Sequence, residues 1–462
     1  MHNAIGRSRA QQQRIRSHIG GCDSYAFFNL LTGPELLDKV ESELPEHRER
    51  LFPPTETLSM FLAQALSEDR SCQKAVDQAA VKRLCAGMRP CSTHTGAYCV
   101  ARQRLPMAMV RTMACFTGAQ VSGRAPQSWR WQGHPVRLVD GTTLTMPDTP
   151  ANQCAYPQPA SQKPGLGFPM CRMVGVVCLG SGALLDIAVG RYQGKGGDEQ
   201  SLLRSILGAL EPGDLLLGDA NFATYFLLCK LQERGVEAVF EQHGSRQHST
   251  DFRCGQRLGE RDHLMVLSKP RRKPDWMSQS DYDQAPESLV VRELRTGGKI
   301  LVTTLLCPKT TSKRSLTSLY RDRWHIELDL RNIKATMEMG QLSCLTPSMV
   351  IKEIWVYMLA YNLIRLMMAQ AALLTDCLPR QISFKHTLQI WIACNEHAIQ
   401  IDFGDKLRGM FALIAQQRVG QRPGRIEPRA IKRRPKNYPL LDKPRSIMQQ
   451  HVRENGHPKK LK

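Results

Sequence analysis

The sequence has no run of 18 uncharged apolar residues and no CxxC pair, and it is short of acid: 42 Asp and Glu stand against 63 Lys and Arg in 462 residues. The first absence argues against a membrane span. The N-terminus, MHNAIGRSRAQQQRIRSH, also has no apolar stretch of signal-peptide type, so a soluble, cytoplasmic protein without membrane contact is expected. The second absence leaves fifteen cysteines scattered from Cys22 to Cys394; Cys85, Cys91, His94 and Cys99 come nearest to a metal cluster, and their spacing matches no common zinc module. Reduced thiols, mostly buried as small apolar residues, are the expectation. The shortage of acid leaves a net charge of +21, which favours a polyanionic partner, and without a membrane that partner is nucleic acid. Internal repeats and long low-complexity tracts are missing too. The glycine-rich GRYQGKGGDE is not a P-loop, because its spacing differs and a glycine follows Lys195, so no nucleotide cofactor is implied.

What is present suits two or three domains, since 462 residues with 42% hydrophobic content exceed what one core usually holds. The first 20 residues read as a basic, flexible arm. Helical patterning then runs to about residue 120, broken at Gly33-Pro34, Pro53-Pro54 and Arg89-Pro90. Its third short helix, capped by Ser92, Thr93 or Thr95, carries Tyr98, Arg102 and Arg104 and stops before Pro106. Three short helices ending in a basic, aromatic one suit a helix-turn-helix reader of DNA, although any small bundle can carry arginines on its surface.

From residue 134 the pattern becomes α/β. HPVRLVDG is a short apolar run closing on Asp140, and CRMVGVVCLGSGALLDIAVGRY reads as two strands around a Gly180-Ser181-Gly182 turn. GDEQSLLRSILGAL is an amphipathic helix, and GDLLLGDANFAT is a buried strand ending at Asp219. A polar, Arg-rich, strand-like region precedes one more buried strand, GKILVTTLL, and then the helix YRDRWHIELDLRNIK. The apolar stretch 350–374 is interrupted by Lys352, Glu353 and Arg365, which argues for a buried helix. Residues 418–462 hold 14 Lys and Arg against 3 acids, a basic, Pro-rich tail that adds non-specific phosphate affinity.

In the helix at 320–334, an advance of roughly 100° per residue brings Tyr320, Arg323, Glu327 and Lys334 within about 60° of one another. An exposed Arg323–Glu327 pair on a solvated face accounts for part of that pattern. Asp140 and Asp219 share a context, each following a buried strand and preceding a small-residue turn, the strand-end position where α/β sheets build sites. Asp148 and Asp186 are rivals by spacing, but Asp148 sits in MPDTP, which reads as an irregular loop. Three converging carboxylates repel unless cations join them, and a Mg²⁺ pair about 3.5–4 Å apart is the usual solution in phosphodiester chemistry.

Tyr320, Arg323, Glu327 and Lys334 fit Y-x2-R-x3-E-x6-K without a gap. That pattern resembles the signature of bacterial insertion-sequence transposases of the IS-four group, in the DDE superfamily. LVDGTTL around Asp140 and LLLGDANFAT around Asp219 are similar to the family's two aspartate motifs, and the separations, 79 residues between Asp140 and Asp219 and 108 from Asp219 to Glu327, also fit. The resemblance covers nearly the whole chain. It implies an α/β, RNase H-like catalytic core at 131–374 with a β-rich insertion at about 238–298. An N-terminal all-helical DNA-binding domain at 21–130 and a helical, basic C-terminal region at 375–462 would flank it.

It further implies that Asp140, Asp219 and Glu327 hold two Mg²⁺ ions, replaceable by Mn²⁺. Arg323 and Lys334 would then meet DNA phosphates, and Tyr320 the backbone or a displaced base. In relatives that form a DNA hairpin, aromatic side chains hold a flipped base; Trp324 and Trp276 are the candidates, and a core role for Trp324 stands beside that. The implied activity is a bacterial transposase that binds terminal inverted repeats, cleaves strands and transfers them to target DNA as a homodimer assembled on DNA. A catalytically inactive DNA-binding relic and a metal-dependent nuclease without strand transfer are the alternatives.

Overall fold

The computed structural model describes residues 34–44, 51–89, 91–247, 250–375, 377–397, 403–420 and 441–457. The arm expected at 1–20 and most of the basic tail lie outside these residues.

Alternating burial organises the centre of the chain. In strand β1, Val136–Thr145, Leu138 and Leu144 join one apolar cluster and Val139 joins another, as expected for a strand whose side chains alternate across a sheet with both faces covered. Strands β2 (Met170–Cys178), β3 (Leu184–Arg191), β4 (Leu215–Gly218) and β5 (Glu237–Glu241) complete the first half of a nine-stranded sheet in the order β3-β2-β1-β4-β5. β2 is antiparallel to β1 and to β3, whereas β1, β4 and β5 run parallel. The expected two strands around the Gly180-Ser181-Gly182 turn are β2 and β3.

The region expected as a β-rich insertion does not form a separate sheet. β9 (Lys299–Thr303) pairs antiparallel with β5, and β8 (Ser288–Thr296), β7 (Asp262–Ser268) and β6 (Gln256–Gly259) continue outward as a meander. Its arginine content is partly internal, since Arg292 is fully buried against Asp262 and the Thr311 carbonyl.

One face of the sheet is covered by the helices Met107–Gly123 and Pro347–Leu373, the other by Glu199–Ser205 and Tyr225–Glu233. Helix Pro347–Leu373 is long and apolar enough to cross a membrane, yet 89% of its most apolar window is buried inside the protein. The charges that interrupt it are all satisfied, as buried charges must be. Lys352 Nζ donates to the Arg102 and Gln103 carbonyls at 2.9 Å each, Glu353 accepts the Ser343 and Cys344 amides, and Arg365 pairs with Asp329. Asn362 donates to the Ala114 and Leu184 carbonyls and accepts the Leu184 amide, tying this helix to Met107–Gly123 and to β3.

The N-terminal helices Pro54–Leu66, Cys72–Cys85 and Gly96–Arg104 follow the expected breaks. Their orientation corrects two of the DNA-contact expectations. Tyr98 is 0% exposed, with its hydroxyl donating to Gln64 Oε1 at 2.8 Å. Arg102 lies over the Phe61 and Tyr98 rings and shares Gln64, so both residues serve the bundle's interior. Arg104 alone of the three is exposed.

Candidate functional site

The apolar run ending in Asp140 was expected to close there, but β1 continues to Thr145. Its antiparallel partner β2 accompanies it all the way, to Thr145 opposite Met170, while its parallel partner β4 stops at Gly218. Asp140 therefore stands where one neighbour ends, not where its own strand ends. The β1–β4 register pairs Val136 with Leu215, Arg137 with Leu216 and Leu138 with Leu217. That offset equals the Asp140–Asp219 separation, so extending it two residues sets the aspartates side by side where the strands part. Both then point to the face that holds Leu138 and Leu217.

That face receives the segment carrying Glu327. It is not the regular helix the spacing predicts: an α-helix, Lys313–Arg321, passes through a 3₁₀ turn, Asp322–Trp324, into His325–Arg331 and then a π-helical turn, Asn332–Thr336. Each change of winding breaks the 100° advance, and π turns inside helices recur at functional sites. Arg323 Nη2 lies 2.9 Å from Glu327 Oε1, and its Nη1 is 3.6 Å from Asp140 Oδ2, so one guanidinium joins the two carboxylates. The π turn brings Lys334 Nζ to Thr142 Oγ1 at 3.1 Å, on the same side of β1 as Asp140. Burial pulls the Lys334 ammonium below its usual range.

Tyr320, expected to contact DNA, is 7% exposed and offers its hydroxyl to Glu241 Oε2 at 3.4 Å, a carboxylate that Lys299 also holds. It supports the site from inside. Trp324 is 57% exposed, which sets aside the core role. Trp276 is 43% exposed; the Arg204 guanidinium covers its ring at 3.8 Å and Phe226 meets it edge-on. Of the rival aspartates, Asp186 pairs with Arg111 at 3.0 Å and Asp148 accepts from Gln153, so neither joins the group.

Two residues at the site gave no signal of their own in the sequence. Glu199, at the start of helix Glu199–Ser205, lies beneath Gly141: a Cβ at position 141 would stand 2.3 Å from its Oε1. Asp329, two residues after Glu327, is 1% exposed and is held by Arg365 and by both terminal nitrogens of Arg380.

Burial pushes the Asp140 carboxyl up to about 6; the Gly141 amide and Arg323 oppose that rise, and Asp219 and Glu199 add to it. The folded state thus favours the proton, so this group's contribution to stability is full below the unfolded pKa of 3.8 and is lost as pH rises through about 6. In EDTA, Asp140→Asn should gain stability over the parent as pH rises from about 4 to about 7, levelling on the order of 3 kcal/mol. Chemical denaturation at stepped pH reads this directly, and a difference that stays flat with pH would contradict it.

The side chains of Asp140, Asp219 and Glu327 offer only carboxylate oxygens, the set that suits a hard divalent cation. Among the described residues no three His, Cys, Asp or Glu side chains are grouped so as to hold one ion, and the Arg323 guanidinium lies between Asp140 and Glu327.

Residues 131–363 match the family model for the transposase DDE domain. The chain is 27% identical over 428 residues to the transposase InsG for insertion sequence element IS4 of Escherichia coli (strain K12), covering 89% of this chain and 92% of that protein. A cryo-EM structure of the piggyBac transposase synaptic complex with hairpin DNA aligns with a TM-score of 0.45 and 8% identity, over 87% of this chain and 86% of that one. With the matched domain spanning β1, β4 and the Glu327 segment, the chain belongs to the DDE transposase family, as an IS4-type DNA transposase.

Proposed function

We propose that Asp140, Asp219 and Glu327 are the catalytic carboxylates of this transposase, which binds the terminal inverted repeats of an insertion sequence, cleaves DNA there and joins the ends to target DNA. The observation that carries the reading is the β1–β4 register, whose offset continued by two residues brings Asp140 level with Asp219, together with the Arg323 clamp that joins Glu327 to Asp140. The strand order and directions, with three parallel strands flanked by an antiparallel pair, support an RNase H-like core.

Asp140, Asp219 and Glu327 would hold two divalent ions, Mg²⁺ or Mn²⁺, whose chemistry when bound would be to activate an attacking oxygen, from water or a DNA 3′-hydroxyl, and to stabilise the leaving oxygen. The chain's own residues orient the substrate. With Asp140 and Glu327 engaged on the ions, the Arg323 guanidinium would be free to meet a DNA phosphate, a fork suited to two phosphate oxygens. Lys334 stands by Thr142 as a point charge for the same strand. Trp324, exposed one residue after Arg323, is one platform for an unstacked base, and Trp276 becomes another once Arg204 leaves its ring.

Arg104 and the basic tail add phosphate contacts that carry no sequence information. The N-terminal helices read the repeats, and Tyr98 and Arg102 act there by holding the bundle together. The working form is a homodimer assembled on DNA in the bacterial cytoplasm, without a nucleotide cofactor.

The test is strand joining. A pre-cut element end with a free 3′-hydroxyl, a supercoiled target and Mn²⁺ should yield covalently joined product. Cutting of intact ends without any joining would make the protein a nuclease.

A further inference from the structure

Asp219 is held by Asn221 of its own loop, which is held in turn by a residue from the far side of the sheet. Its Oδ1 accepts the Asn221 backbone amide at 2.9 Å, and its Oδ2 lies 3.4 Å from Asn221 Nδ2. The same Nδ2 stands 3.3 Å from Glu199 Oε2. Next to Glu199, Gln200 Nε2 donates to the Asn221 carbonyl at 2.6 Å and Gln200 Oε1 accepts from Thr224 at 3.1 Å. The first turn of helix Glu199–Ser205 therefore grips the 219–224 loop at three points, and Asp198 caps that helix through the Ser201 amide.

Glu199 reaches this place only because residue 141 lacks a side chain. Alternation along β1 aims position 141 at the face covered by helix Glu199–Ser205, opposite to Asp140. A Cβ there would overlap the Glu199 carboxylate at 2.3 Å from Oε1 and 2.7 Å from Cδ. Gly141 has no other reason to be glycine that its backbone shows, since it is not among the positive-φ residues.

We propose that Glu199 is a positioning residue for the metal-holding aspartates: its carboxylate fixes the Asn221 amide, which orients the Asp219 carboxylate toward Asp140, and Gly141 is the gap that admits it. This rests on the reading of Asp140, Asp219 and Glu327 as metal-holding. The contact needs an acceptor oxygen on residue 199 and not a charge, so glutamine retains it and alanine does not. Residues that orient the groups holding a metal typically change its affinity by about 10–100-fold.

The experiment titrates Mn²⁺ into the full-length protein by calorimetry without DNA, and separately follows Mn²⁺-dependent cleavage of an element end. Glu199→Ala and Asn221→Ala should each raise the half-saturating Mn²⁺ about tenfold in both measurements, and Glu199→Gln should return it to within about threefold of the parent. Duplex binding in EDTA and the melting temperature of Glu199→Gln should match the parent. A Glu199→Ala titration that matches the parent overturns the proposal, as does Glu199→Gln as impaired as Glu199→Ala, which would leave charge alone as the cause. If Glu199→Ala does not fold, Asn221→Ala, which breaks the same link from the other side, decides by the same criterion. Asp219→Asn separates this from the underlying reading: Mn²⁺ binding that survives Asp219→Asn removes the metal site itself, whereas binding lost in Asp219→Asn but indifferent to residues 199 and 221 removes only the role of Glu199.

Discussion

Glu327→Gln is expected to lower strand cleavage by about 10³-fold or more while leaving affinity for the element end within about threefold of the parent. The substitution keeps the size of the side chain and leaves Arg323 a carbonyl oxygen to meet. On the proposed reading, what it removes is one of the three anionic donors to the metal ions. A divalent ion's stabilisation of transition-state charge is worth several kcal/mol, and each 1.36 kcal/mol is tenfold in rate, so loss of one anionic donor reaches that scale. Binding draws on other groups, the phosphate contacts of the basic surface, and should survive. Gel-shift affinity and cleavage rate measured on the same preparation decide the matter. Equal loss of both would mean that Glu327 holds the structure and not the reaction.

Asp329→Ala should cost about 3–5 kcal/mol of folding stability. Asp329 is buried and receives two arginines: Arg365 from the long helix and Arg380, whose nitrogens lie 3.1 and 2.8 Å from its two oxygens. Removing the carboxylate strands two buried guanidiniums, and a buried charge without its partner is far more costly than the intact pair is stabilising. Arg380 also donates to the Cys178 carbonyl at 3.1 Å, at the end of β2, so the triad joins the Glu327 helix, the long helix and the central sheet. Urea denaturation of parent and variant measures the loss; a change below about 1 kcal/mol would show the triad to be dispensable.

The parts of the site that lie along the chain were legible in its residues. RLVDG and LLLGD announce themselves because strands buried on both faces read as continuous apolar runs, and a carboxylate closing such a run stands out. Even so, where β1 ends depended on β2, which keeps pairing past Asp140. The helical spacing correctly brought Arg323 and Glu327 together but could not show the 3₁₀ and π turns that redirect Trp324 and Lys334.

Orientation was the harder question. Tyr98, Arg102 and Tyr320 carry polar tips that suit a DNA surface, and the same tips suit a core when Gln64 or Glu241 waits inside to accept them. Glu199 was invisible because its meaning comes from Gly141 across the sheet, and Asp329 because its partners lie 36 and 51 residues further along the chain. The stretch at about 238–298 reads as strand-like and Arg-rich in the sequence, but only the pairing of β9 with β5 shows that its strands lengthen the central sheet.

The central claim is that three carboxylates from β1, the end of β4 and the Glu327 helix form one metal-dependent site for cutting DNA. The most direct measurement incubates a linear duplex carrying the element end and its flank with Mg²⁺ or Mn²⁺ and the parent, Asp140→Asn, Asp219→Asn or Glu327→Gln protein. The account predicts metal-dependent cutting at the element boundary by the parent and none by any of the three variants, each folded and each still binding the end. Cutting that persists when any one of the three carboxylates is removed would contradict it.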